Sequence, residues 1–183
     1  MARTMGKYFL AIKPYEQESQ RITELKRQLL ESFGLKYALK SPPHITLKMP
    51  FVHNVLKEKE LIKSLQAFVS KEQPFLLSLR GVGSFGSRVA FIKVKYPPDL
   101  KSFQQRLIIF CKKNLKKKLE LSDTNYHPHL TVAFKDFKKG QFEPVMDFIR
   151  KASIDARFQV DQITLLKKVN GIWVPIADMK MSD

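Results

Sequence analysis

Pro43-His44-Ile45-Thr46-Leu47 and Pro128-His129-Leu130-Thr131-Val132 are two copies of one pattern: proline, histidine, aliphatic, threonine, aliphatic. Their β-branched and aliphatic residues read each copy as a strand. Side chains alternate faces along a strand, so His44 and Thr46 point one way while Ile45 and Leu47 point the other. His129 and Thr131 stand in the same way against Leu130 and Val132. Two such strands laid side by side would form a cleft with two imidazoles and two hydroxyls. Those groups suit acid–base work on a phosphate.

Working outward, the chain reads as one order of elements taken twice. A strand over 7–13 leads to a helix over 16–33, whose Ile22, Leu25, Leu29 and Phe33 share a stripe and which ends at Gly34. The first His-x-Thr strand (44–49) follows, then a helix over 56–70 and a strand over 75–80. The second round runs through a strand (88–95), a helix (99–119), the second His-x-Thr strand (129–134) and a helix (142–152). A strand over 157–168 then meets Asn170-Gly171, a hairpin signal, and returns over 172–179. The expected fold class is α+β: one domain over 1–183 with two pseudo-two-fold related lobes and antiparallel sheets around a central cleft. The lobes would cover about 1–83 and 84–183, exchange terminal strands, and join through the glycine-rich segment 81–87.

Composition narrows the function classes. The 183 residues include 44% hydrophobic and 11% aromatic residues, which places the chain among globular proteins. No apolar run approaches the roughly 18–20 residues of a membrane span. The apolar stretch 8–12 is too short for a secretory core, so a cytoplasmic location is expected. Cys111 is the single cysteine, which removes an intrachain disulfide and the zinc spacings built on cysteine pairs. The net charge is +16, from 33 Lys+Arg against 17 Asp+Glu. Such an excess favours a polyanion such as RNA.

His44 and His129 are the candidate catalytic pair, with Thr46 and Thr131 as donors to phosphoryl oxygens. Lys48 and Lys135 share parity with the motif histidines and are placed at the cleft edge as phosphate contacts. Tyr8, Phe51 and Tyr126 are candidates for stacking a base. His127-Pro128-His129 lacks the carboxylate or cysteine partners of a metal site, so no metal is expected. His53 is expected in a solvent-exposed loop. The run Lys112-Lys113, Lys116-Lys117-Lys118 is expected on the solvated face and last turn of a helix.

The paired motifs, their spacing and the repeated α+β order resemble the 2H phosphoesterase superfamily, and within it the bacterial 2′-5′ RNA ligase-like proteins, which act as RNA 2′,3′-cyclic phosphodiesterases. The resemblance covers nearly the whole chain. It implies a bilobal fold, no metal or cofactor, and the two motif histidines as the catalytic pair. It also suggests His129 as base toward water and His44 as acid toward the 3′ oxygen, although the pseudo-symmetry leaves the two roles interchangeable on the residues alone. The implied partners are RNA ends or nucleotide cyclic phosphates, handled by a monomer with no obligate protein partner. The alternatives are a cyclic phosphodiesterase for small metabolites, such as an ADP-ribose cyclic phosphate, and a non-catalytic RNA- or nucleotide-binding domain.

Overall fold

In the computed structural model, which describes residues 4–95 and 97–182, eight strands form one antiparallel sheet. They are β1 (Met5–Ile12), β2 (Ile45–Asn54), β3 (Phe75–Phe85), β4 (Val89–Lys95), β5 (His129–Phe134), β6 (Asp155–Val160), β7 (Gln162–Val169) and β8 (Ile172–Lys180). Their spatial order is β6-β3-β4-β5-β2-β1-β7-β8. The motif strands β2 and β5 are therefore the two central neighbours. Among the described residues they meet through a single bridge pair, Ile45 with Leu130. On either side lies a four-stranded half.

The helices are α1 (Glu16–Phe33), α2 (Glu58–Val69), α3 (Pro98–Lys113), the short α4 (Leu121–Thr124) and α5 (Phe142–Ala152). Their apolar stripes join Tyr8, Leu10, Ile12, Ile45, Leu47, Leu130 and Val132 in one core on one side of the sheet. The alternate residues Phe9 and Ala11 form a separate small cluster with Leu166 and Trp173 on the other side. The packing crosses halves: α1 lies against β5, and α3 against β2. α1 ends where Gly34 adopts φ 73 and its N–H reaches Leu29 and Leu30 carbonyls, the left-handed stop expected of that glycine.

Four expectations are corrected here. Residues 81–87 are not a connection between lobes. They are the end of β3 and the turn of the β3–β4 hairpin, with Phe85 paired to Val89. The single strand expected over 157–168 is two strands, β6 and β7, divided at Asp161. β6 pairs with β3 at one edge while β7 pairs with β1 near the other. With one residue between them, they can join only because the sheet curls and brings its two ends together. The third helix stops at Lys113, not at 119. Beyond it Lys116 has φ 53, and Lys117 turns back to donate to the Val52 carbonyl at 3.0 Å and lie 2.8 Å from His53 Nδ1. His53 itself is in β2, half-buried, instead of in an exposed loop.

Lys48 is the sharpest departure. Alternation from His44 and Thr46 should aim it into the cleft, but the β1–β2 register shifts there, with Leu10 opposite Lys48 and Ala11 opposite Thr46. This irregularity reverses the parity. Leu47 and Lys48 are both buried, and Lys48 is 0% exposed. Its Nζ donates to Asp123 Oδ2 at 2.8 Å and to the Met49 carbonyl at 3.1 Å. Asp123 also accepts the Met49 N–H at 2.6 Å and the Glu120 N–H at 2.8 Å. Gln104 of α3 donates to the Leu47 and Asp123 carbonyls. This polar knot fastens β2 to α4, a few residues before the second motif. A buried ion pair adds little over apolar packing, but losing one partner strands the other charge. Asp123→Ala should therefore cost about 3–5 kcal/mol by chemical denaturation. The double variant Lys48→Met/Asp123→Leu should regain much of that loss; equal losses would show that the charge pairing is not the source.

Candidate active site

The bridge between Ile45 and Leu130 sets the geometry of the cleft. Carrying that antiparallel register one residue either way puts His44 across from Thr131 and Thr46 across from His129. All four residues line one cavity of about 400 Å³. This lies within the range of about 300–1,000 Å³ usual for small-ligand sites.

Each imidazole is held in the same way. His44 Nδ1 donates to the Pro42 carbonyl at 2.8 Å, and His129 Nδ1 donates to the His127 carbonyl at 2.7 Å. Both acceptors lie two residues back, across the motif proline. Proline confines the residue before it to extended backbone, so it fixes where that carbonyl points. With the proton on Nδ1, Nε2 is the basic nitrogen left to face the cavity.

Aromatic rings support both histidines. Phe9 lies 4.9 Å from His44 between centroids and also contacts Trp173 at 4.7 Å. His129 has Phe91 at 5.1 Å and Phe85 at 4.9 Å. Phe9 and Phe91 occupy matching places on β1 and β4, each next to a motif strand. Gly83 makes room for this arrangement: a Cβ there would lie 2.5 Å from the Phe91 ring.

Burial pushes the His44 imidazole down to about 4, with the positive charges of Lys26 and His129 adding to the effect against the Pro42 hydrogen bond. Burial also lowers His129, and nearby His127 adds to that, opposed by the His127 carbonyl bond. The free site therefore holds two neutral imidazoles at neutral pH. An anion beside Nε2 would favour their protonated forms.

The other expected contacts divide. Lys135 is exposed, with Nζ 4.9 Å above both the Tyr37 and Phe134 rings, which line the cavity. Tyr126 is half-buried and lines an adjoining cavity of about 260 Å³ together with His127, His129 and Ser122. Lys48 is turned into the core, as described above. Tyr8 and Phe51 are corrected as well. Tyr8 is fully buried, donates to Glu58 at 2.7 Å and stacks on Phe51 in the core. Their strand parity is that of Leu10 and Ile12; the cleft-facing ring on β1 is Phe9, one residue along. Tyr37, Phe85, Phe134 and Trp173 also line the cavity and were not singled out from sequence. Strand parity could have found Phe9, whereas Tyr37 sits in a 3₁₀ turn (Tyr37–Lys40) with no periodic signal.

Comparisons with known proteins bear on the family and the fold. The model of the 2′-5′ RNA ligase superfamily matches residues 14–172. A Geobacillus sp. (strain WCH70) protein named "Putative phosphoesterase" is 28% identical over 172 residues, 91% of each chain. A Bacillus mycoides (strain KBAB4) protein of the same name is 28% identical over 160 residues, covering 85% of this chain and 87% of its own. Among solved structures, E. coli LigT complexed with 3′-AMP matches with a TM-score of 0.67 at 19% identity, over 98% of this chain and 100% of LigT. TT0787 of Thermus thermophilus matches with a TM-score of 0.63 at 16% identity, over 95% of this chain and 97% of its own.

One cavity wall rests on a second buried lysine. Lys26 of α1 is 2% exposed and donates to the Ala38 and Ser41 carbonyls at 3.2 and 3.3 Å. Ala38 and Ser41 line the cavity. Burial pushes Lys26 down to about 7. Above that pH the folded chain gives up a proton that the unfolded chain keeps, so stability should rise as pH increases from about 7 to 8.5. His44 acts in the same direction between about 4 and 6.5, where the unfolded imidazole takes the proton first. Lys26→Met should flatten the upper window and only narrow the lower one, where burial is the main cause, measured by urea melts across pH. A wild-type stability that is level from pH 7 to 8.5 would contradict this.

Proposed function

The chain belongs to the 2′-5′ RNA ligase superfamily, and from that premise we propose that it is a metal-independent phosphoesterase. Its reaction opens RNA 2′,3′-cyclic phosphate ends to 2′-phosphates by two-histidine acid–base catalysis. The observation that carries this reading is the matched pair of imidazoles: each has Nδ1 tied to a carbonyl two residues back, which leaves Nε2 free, and both line one cavity with the two motif threonines.

In-line opening of the ring requires a base on the attacking side of phosphorus and an acid on the leaving side. We assign His129 the first role and His44 the second, the polarity that the family resemblance implies. His129 Nε2 takes a proton from water as the new P–O bond forms. His44 Nε2 gives a proton to the 3′ oxygen as the P–O3′ bond breaks. Thr46 and Thr131 donate to the non-bridging oxygens, and Lys135 adds positive charge at the edge. Because His44 is held low in the free site, it becomes the acid only with phosphate charge beside it. Run in reverse, the same groups would join a cyclic phosphate to a 5′-hydroxyl, which is the second capacity proposed for this site.

The direct test is a short RNA ending in a 2′,3′-cyclic phosphate, incubated with EDTA. Conversion to the 2′-phosphate is expected, and each single alanine variant, His44→Ala or His129→Ala, should lose on the order of 10²–10⁴ in kcat/KM. Full activity in either variant would overturn the assignment. The kcat/KM profile should be a bell whose maximum lies below the ordinary histidine value of about 6.5, since both groups are lowered in the free enzyme. That bell is the same for either polarity. A substrate with sulfur at the 3′ bridging position separates the two, because a thiolate leaves without a proton. His44→Ala should then recover most of its loss while His129→Ala does not; the opposite pattern would exchange the roles.

A further inference from the structure

Beyond the histidine pair, one mouth of the cleft carries five exposed lysines on two loops: Lys36 and Lys40 on one, Lys135, Lys138 and Lys139 on the other. The loops are fastened together. Asp136 Oδ2 accepts the Lys36 and Tyr37 N–H groups at 2.8 and 2.9 Å. Gln141 Nε2 donates to the Phe33 carbonyl at 2.8 Å while its Oε1 accepts the Lys138 N–H at 3.0 Å. The Lys135 N–H donates to the Arg88 carbonyl at 3.0 Å, which brings the β3–β4 turn against the same rim. Asp136, the acidic residue of these two loops, directs its Oδ2 to backbone N–H groups and leaves the lysine ammonium groups to face solvent.

The rim leads into the cavity over aromatic rings. Tyr37 and Phe134 meet edge to face at 5.4 Å, and both line the cleft. Lys40 Nζ lies 4.8 Å above Tyr37, and Lys135 Nζ lies 4.9 Å above both rings. The opposite end is less basic. There Trp173 and Phe9 have Lys168 nearby, whereas Lys167 is paired with Glu58 at 2.6 Å. An aromatic step bordered by a basic track is the arrangement that grips single-stranded nucleic acid, with bases on rings and phosphates on ammonium groups. An acidic peptide would use the lysines and leave the rings idle.

We propose that the rim of residues 36–40 and 135–139 is an upstream track that makes this site prefer a long RNA end over a free cyclic nucleotide. The strand leading to the reactive end leaves the cleft across Tyr37 and Phe134 and over the rim of residues 36–40 and 135–139. This rests on the reading above that the histidine pair handles a terminal phosphate. The rim selects chain length: nucleotides upstream of the end raise affinity without altering the chemical step.

Binding and turnover separate the two claims. The binding probe is a fluorescent oligoribonucleotide with a 3′-phosphate, followed by anisotropy from about 50 to 200 mM salt. The turnover probes are a 2′,3′-cyclic mononucleotide and an oligoribonucleotide with the same end. Wild type should favour the oligonucleotide in kcat/KM, with affinity that falls steeply with salt. Lys36→Gln/Lys138→Gln/Lys139→Gln should weaken oligonucleotide binding at least about tenfold at low salt and lower the log–log salt slope by about 2. Its kcat/KM on the cyclic mononucleotide should be unchanged. Tyr37→Leu should weaken the oligonucleotide about tenfold and leave binding of inorganic polyphosphate intact. Rim-dependent binding without turnover of either substrate would retain the strand track and discard the catalytic reading. Equal kcat/KM for both substrates, binding unaffected by the triple variant, or displacement of the RNA by polyglutamate as readily as by unlabelled RNA would overturn the track.

Discussion

The site depends on one meeting of strands. β2 and β5 are central neighbours, yet the described residues pair them at Ile45 and Leu130 alone. That bridge is both apolar and buried, with both residues 0% exposed. Because a strand alternates its faces, burying Ile45 and Leu130 on the helix side obliges their neighbours to face the other way. The four polar motif residues arrive in the cleft as a consequence of apolar burial behind them. Past the bridge the strands separate, and the space between them becomes the cavity.

Two buried lysines under this cleft act differently. Lys48 is matched by Asp123, so the pair carries little net field into the site. Lys26 is held by the carbonyl oxygens of Ala38 and Ser41, which carry no formal charge to offset its own. Its charge disfavours a protonated His44 and favours an anion in the cavity. An anion in the cavity would therefore offset the positive potential and favour protonation of His44. Electrostatic preorganisation of this kind requires no movement of the loops.

Much of the fold was legible because local rules and tertiary packing agreed. The motif strands, the stripe of α1, Gly34 and the Asn170-Gly171 turn all follow from periodicity and turn chemistry, and the structure keeps them. The failures occur where a longer-range condition overrides the local one. Alternation fails at Lys48 because the β1–β2 register is irregular there. Residues 81–87 are glycine-rich for two local reasons, the positive φ of Gly81 and Gly86 and the close approach of Phe91 to Gly83, and not because they link lobes. Asp161 divides two strands because their partners lie at opposite parts of a curled sheet, which no window of sequence contains. Tyr8 and Phe9 are adjacent rings of which only strand parity decides the cleft-facing one. Of the basic rim only Lys135 was legible, for a related reason: its lysines are about a hundred residues apart and are joined by Asp136.

The order of strands also means that one half-sheet is inserted into the other: β3 to β6 follow one another in sequence and interrupt the half made by β1, β2, β7 and β8. β1 and β2 are completed by β7 and β8 from the carboxyl-terminal part, on the far side of that insertion. Severing the polypeptide at the β3–β4 turn would leave two pieces, each holding strands whose hydrogen-bond partners belong to the other. A nicked molecule would stay assembled, and neither piece would be a smaller working version of the whole. The two histidines are in this sense a single heritable character: excising the inserted half would also take away α3, which packs on β2, and removing α1 would uncover β5.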